Sequence, residues 1–227
     1  MNRATPDTAP DSPPPDPTRA RLVAERVHCA PARLDCEIDL HLAPGEVLQI
    51  EGPNGSGKTS LLRVLCGLVP PDAGHIRWDG TDIAEDPERF RRDLTFIGHT
   101  AGIKRDLTAR ENLEAAHAIA GGPAGIDHAD ALARVGLAND ADVPLRRLSA
   151  GQARRVTLAR LLTERSALWI LDEPFTALDA EAKRMLEGFI VAHCEAGGMA
   201  LVTTHQPADF GALPVRLLAL GGHEVAT

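Results

Sequence analysis

The chain has 227 residues, 44% hydrophobic but only 3% aromatic with no tyrosine, and a formal net charge of −8 at pH 7. That length permits one α/β domain with a small inserted lobe, its core filled by aliphatic side chains. The acidic balance argues against a nucleic-acid surface, and no apolar run approaches the roughly 18 residues that cross a bilayer.

Met1 to Ala20 is rich in proline, aspartate and threonine, starts with no apolar signal segment, and predicts a disordered tail. Leu34 to Leu42 alternates strictly: Leu34, Cys36, Ile38, Leu40 and Leu42 against Asp35, Glu37, Asp39 and His41. This is the pattern of a half-solvated antiparallel strand, with Arg21 to His28 as its partner. None of Cys29, Cys36, Cys66 and Cys194 forms a C-x-x-C pair, so neither zinc nor redox chemistry is indicated. Their scatter suits small core residues in a reduced chain.

Val47-Leu48-Gln49-Ile50 is a strand running into Gly52-Pro53-Asn54-Gly55-Ser56-Gly57-Lys58-Thr59, the full G-x-x-x-x-G-K-[ST] pattern. A helix-like run, Thr59 to Leu68, leaves it. Glycines let consecutive N–H groups converge on one anion, and the helix start adds partial positive charge there. Lys58 can reach terminal phosphates and Thr59 can place a hydroxyl on Mg²⁺. Gly52 to Thr59, with Ser60 beside them, are therefore candidate binders of a nucleotide triphosphate.

Gly74 to Trp78 predicts a short strand before an Asp79-Gly80 turn. Leu94 to Ile97 predicts a buried strand, followed by a polar loop from Gly98 to Leu107. Thr108-Ala109-Arg110-Glu111 fits a capping box opening a helix through Ala120, stopped by Gly121-Gly122-Pro123. Asp127 caps a second helix closing at Gly136. Ser149 can cap a third, carrying Arg154, Arg155 and Arg160. Residues 100–162 thus predict a helical lobe inserted in a mainly parallel-sheet core. Leu168 to Leu171 is a continuous apolar strand ending in Asp172-Glu173. Ala180 to Ala196 reads as a helix. Met199 to Val202 is a strand ending in Thr203-Thr204-His205, and Val215 to Leu220 predicts a last strand.

In an open parallel sheet, ligands sit at the carboxyl ends of the strands, so the phosphate loop, Asp172-Glu173 and His205 should converge. Asp172 suits an Mg²⁺ ligand, Glu173 a base for attacking water, and His205 a contact to the γ-phosphate. Ser149, Gly151 and Gln152, at the start of the third helix, form a second anion site. One nucleotide cannot easily use both sites of one small subunit. Two copies head to tail, with ATP between them, would use both.

These residues resemble the ATP-binding subunits of ABC transporters. Gly52–Thr59 looks like Walker A, and Leu148–Gln152 like the signature, with Ala150 where glycine is usual. Leu168–Glu173 looks like Walker B with the catalytic glutamate, Ala177-Leu178-Asp179 like the D-loop, and His205 like the switch histidine. The match covers about residues 21–220. It implies a P-loop NTPase fold with an antiparallel β subdomain and an inserted α-helical subdomain. Residues 21–227 would be the nucleotide-binding domain. It also implies ATP hydrolysis in a self-dimer, with cofactors ATP and Mg²⁺.

A closer resemblance is to the haem-exporter subunits of cytochrome c biogenesis. It rests on Phe96-Ile97-Gly98-His99 with Gly102-Ile103-Lys104, on Leu107–Leu113, on Leu148–Val156, on Leu168–Ala177 and on Thr203–Pro207. It implies a peripheral subunit on the cytoplasmic face of the inner membrane, with the membrane partners CcmB and CcmC. Its work would be haem delivery, or release of a haem-loaded periplasmic chaperone. An exporter ATPase for a lipid or drug, or a non-transport ATPase of the same family, is the alternative. Two departures stand out. His99 and Thr100 occupy a loop where many relatives place a glutamine. No Phe, Tyr or Trp lies near Cys29–Pro31, where a ring usually stacks on adenine, so weak base selectivity is expected.

Overall fold

The computed structural model describes residues 2–4, 7–8, 21–29, 36–99, 102–121 and 124–221. One sheet runs β1 (Asn2–Ala4), β4 (Cys36–Leu42), β3 (Leu22–His28), β6 (Ala73–Trp78), β7 (Thr81–Asp82), antiparallel except where β1 joins β4. The other runs β2 (Asp7–Thr8), β11 (Val215–Ala219), β5 (Val47–Glu51), β10 (Met199–Thr203), β9 (Leu168–Asp172), β8 (Leu94–Ile97). Its strands are parallel from β11 to β8. Two pieces of the expected disordered tail, β1 and β2, therefore pair at sheet edges. An open edge offers N–H and C=O groups that a polar segment can take by backbone alone. The rest of that tail lies outside the described residues, as do Leu34, Asp35, Thr100, Gly122 and Pro123.

The alternation expected around Ile38 holds, because Ile38, Leu40 and Leu42 are buried while Glu37, Asp39 and His41 are half-buried. The apolar strands of the parallel sheet bury both faces. Leu48, Ile50, Ile170 and Leu201 face the antiparallel sheet and α1 (Lys58–Leu65). Val47, Trp169, Leu171 and Val202 face the helical lobe and α6 (Ala180–Glu195). A period of two on a sheet covered on both sides gives this continuous apolar run. Helix α1 stops earlier than the apolar run suggests, at Leu65. Cys66 caps it and Gly67 takes φ +67°, a conformation that glycine adopts without Cβ strain. Sequence reading passed over α2 (Pro87–Arg92), although Asp86 caps it and Pro87 sits at its first turn.

The lobe contains α3 (Ala109–Ala120), α4 (His128–Arg134) and α5 (Ala150–Thr163). Thr108 Oγ1 accepts from Glu111 N at 3.1 Å and Glu111 Oε2 accepts from Thr108 N at 2.7 Å. Such a reciprocal cap stabilises a helix start by about 1 kcal/mol. Buried Asn112 then ties down the loop before it, accepting from Lys104 N at 2.7 Å and donating to Lys104 O at 3.0 Å. Among the described residues, no helix is long and apolar enough to cross a membrane.

Behind the parallel sheet, the His193 ring stacks on Trp169, centroids 3.9 Å apart and planes 3° from parallel. Burial lowers the His193 pKa to about 4, against an ordinary value near 6.5, despite hydrogen bonds to Met199 and Ala167. The folded state thus takes up this proton later than the unfolded one. Its contribution is complete above about pH 6.5 and is lost as pH falls toward about 4. The loss is on the order of 3 kcal/mol. His193→Phe keeps a stacked ring without the proton. Urea midpoints measured from pH 4 to 7 should fall less steeply on acidification than those of the parent chain; identical slopes would contradict this.

Candidate active site

Strand order places β5, β10 and β9 side by side, so their carboxyl ends open onto one edge. The register pairs Thr203 with Asp172 across that edge. Gly52 leaves β5 with φ +155°, and a Cβ there would lie 2.6 Å from Leu220 O, a gap only glycine tolerates. Gly55 and Gly57 take φ +83° and +94°, curling the loop so that it opens into α1.

Lys58 is 7% exposed and folds back over its own loop. Its Nζ donates to Gly52 O at 2.7 Å and Pro53 O at 3.3 Å, and lies 2.9 Å from His205 Nε2. The same Nε2 is 3.1 Å from Glu173 Oε1. One ring nitrogen therefore stands between a cation and an anion. As a lone pair it accepts from Lys58; as N–H it donates to Glu173; it cannot do both.

Thr59 Oγ1 donates to Asp172 Oδ2 at 2.9 Å. The other oxygen, Oδ1, accepts from Thr203 Oγ1 at 2.9 Å, and Thr203 Oγ1 in turn accepts from Glu173 N at 2.8 Å. The Glu173 main chain is left-handed, with φ +49°. A side chain there costs about 1–2 kcal/mol and persists only where neighbours hold it. Thr203 is one such neighbour. Thr203 and Thr204 stand before His205 in the sequence, but only the sheet register aligns Thr203 with Asp172 and gives it this role.

A cavity of about 570 Å³ lies over the loop, lined by Asn54, Gly55, Lys58, Thr59, Glu173 and His205 among others. Gly57, Ser60, His99 and Thr176 complete its wall. Ser56 donates its N–H to Pro53 O at 3.1 Å, while its hydroxyl is buried without a partner. Within the described residues, then, the loop, both carboxylates and the histidine come together as expected.

Ser149, Gly151 and Gln152 do not join them. They begin α5, beside a second cavity of about 550 Å³ lined by Leu148, Ala150, Arg154 and Glu173 among others. Ser149 Oγ accepts from Gln152 N at 3.2 Å and Gln152 Oε1 accepts from Ser149 N at 3.0 Å. No three His, Cys, Asp or Glu side chains among the described residues group to hold a metal ion. The buried thiols of Cys66 and Cys194 are pushed up by burial, Cys194 to about 12, which leaves them protonated and unreactive.

Residues 36–176 match the family model described as ABC transporter. A "Cytochrome c biogenesis ATP-binding export protein CcmA" of Aromatoleum aromaticum is 54% identical over 79% of this chain and 85% of its own length. That of Dechloromonas aromatica is 49% identical over 88% of this chain and 100% of its own. A solved ATP-binding cassette, described as a dimeric post-hydrolysis state bound to ADP and Pi, superposes with TM-score 0.74. It is 24% identical, covering 88% of this chain and 94% of that one.

Proposed function

Because the chain belongs to the ABC transporter family, and within it to the cytochrome c biogenesis ATP-binding export proteins, we propose that it is the ATP-hydrolysing subunit of an export complex serving cytochrome c biogenesis. The observation that carries the hydrolytic reading is the single His205 nitrogen set between Lys58 and Glu173, beside the Thr59–Asp172 pair.

The triphosphate seats on the N–H groups of Asn54, Gly55, Gly57 and Lys58, with Ser60 along the cleft. Lys58 exchanges its bonds to Gly52, Pro53 and His205 for the terminal phosphates. His205 is thereby freed to donate to the γ-phosphoryl group. Glu173 accepts a proton from the attacking water. A hydroxyl and one carboxylate suit a hard cation that keeps waters and shares phosphate oxygens, so Thr59 and Asp172 would hold Mg²⁺. When bound, Mg²⁺ neutralises charge on the phosphates. Ser149, Gly151 and Gln152 of a second copy close over the same nucleotide. Their place outside the wall of the loop's cavity, at the start of a helix, supports that arrangement.

The domain would span residues 21–227, with the lobe near 100–162. On the outer surface Leu68 is 60% exposed and Ile119 84% exposed. They flank an apolar cavity of about 370 Å³ lined by Leu94, Phe96 and Ala116. Exposed apolar side chains around a cleft support a docked membrane-spanning subunit of the CcmB or CcmC kind. The cargo would be haem, or the released product a haem-loaded periplasmic chaperone. Pull-down of the tagged chain from native membranes should bring a haem-handling spanning protein in stoichiometric amount. Recovery of a lipid or drug exporter subunit instead would overturn the assignment of cargo.

A further inference from the structure

Arg154 does not belong to the set just described, yet it touches it. It lies on the first turns of α5 and reaches across to the turn after β9. Its Nη2 donates to Glu173 O at 3.3 Å and to Pro174 O at 3.4 Å. Its Nε is buried and has no hydrogen-bond partner. Burial lowers the Arg154 pKa, while the Asp172 carboxylate pulls it back up. A partly buried guanidinium held by two long bonds is a weak source of stability, because desolvating the charge offsets most of what it gains. Its placement is more informative than its energy.

The Glu173 main chain is held from both sides. Thr203, on the sheet, takes its N–H at 2.8 Å. Arg154, on the helical lobe, takes its carbonyl. Between those two anchors the residue adopts φ +49°. The arginine and the carboxylate also line the same cavity at the start of α5, with Ala150 and Thr176.

We propose that Arg154 is a positioning residue that fixes the Glu173 main chain to α5. The helix whose start meets the second copy's nucleotide thus sets the aim of the base in its own chain. This rests on the hydrolytic reading above. Arg154 need not touch nucleotide; it acts through Glu173.

The test uses the full chain and the variants Arg154→Gln and Arg154→Lys. Hydrogen exchange without nucleotide should be about tenfold faster at residues 173–176 in Arg154→Gln, and unchanged over residues 52–59. In steady state kcat should fall about tenfold, with the ATP Kd within twofold of the parent and Tm nearly unchanged. Arg154→Lys, which keeps one charged donor, should recover part of both effects. Exchange at 173–176 equal to the parent, or kcat and Tm falling together with a rise in the ATP Kd, would overturn the proposal. If the parent chain hydrolyses no ATP, the hydrolytic reading fails, and the exchange arm still decides whether the tether exists.

Discussion

Replacing Glu173 with glutamine should lower ATP turnover by about 100-fold or more while ATP binding survives. Glutamine keeps the shape and still reaches His205 Nε2, now 3.1 Å from Oε1. What it cannot do is take a proton from water, and a positioned general base is worth about 10²–10⁴ in rate. The substitution should not disturb the turn. Its left-handed main chain is held through backbone atoms, by Thr203 and Arg154. In the proposed seating of the triphosphate the Glu173 carboxylate would face the γ-phosphate, so removing its charge relieves repulsion and the ATP Kd should stay level or tighten. Single-turnover hydrolysis and equilibrium binding of ATP on the same preparation check both halves. Turnover within twofold of the parent would remove Glu173 from the role of base.

Lys58→Ala should do the reverse, losing binding first. Lys58 is 7% exposed, and its ammonium is satisfied by Gly52 O, Pro53 O and His205. Those partners are held at hydrogen-bond distance in the cleft, where a phosphate would compete for the same donor. Losing a charge-assisted bond removes about 1.5–3 kcal/mol, a ten- to hundredfold weaker Kd. Turnover should drop by about 100-fold or more beyond that, since a preorganised cation does most for charge in the transition state. The fold should remain, because the two carbonyls left behind adjoin a cavity of about 570 Å³, with room for water to replace the ammonium. Far-UV circular dichroism and nucleotide titration check this. Normal turnover would contradict the placement of the triphosphate.

Much of this was legible in the residues. The phosphate loop announces itself by glycine spacing and by Lys58-Thr59. The half-solvated strand at Ile38, the boxed cap at Thr108 and the buried strand at Leu168 each carry a local signature that the structure repeats. What could not be read was whatever depends on two distant segments meeting. Thr203 orients both Asp172 and Glu173 only because β10 lies in register against β9. His99 enters the cleft wall because β8 ends at the sheet edge, beside β9. Arg154 looked like one of several helix charges until its carbonyl partners were seen. The edge strands β1 and β2 were invisible for another reason: backbone pairing leaves no trace in side-chain pattern.

In the proposed dimer one triphosphate is clasped by the loop of one copy and the α5 start of another. The mass of Glu173→Gln in solution, with and without ATP and Mg²⁺, measures this most directly. Light scattering should give a single chain without nucleotide and a dimer holding two ATP with it, and Ser149→Arg in the same background should abolish the dimer. A species that stays at the mass of one chain in saturating ATP, alone and with its membrane subunits present, would contradict it.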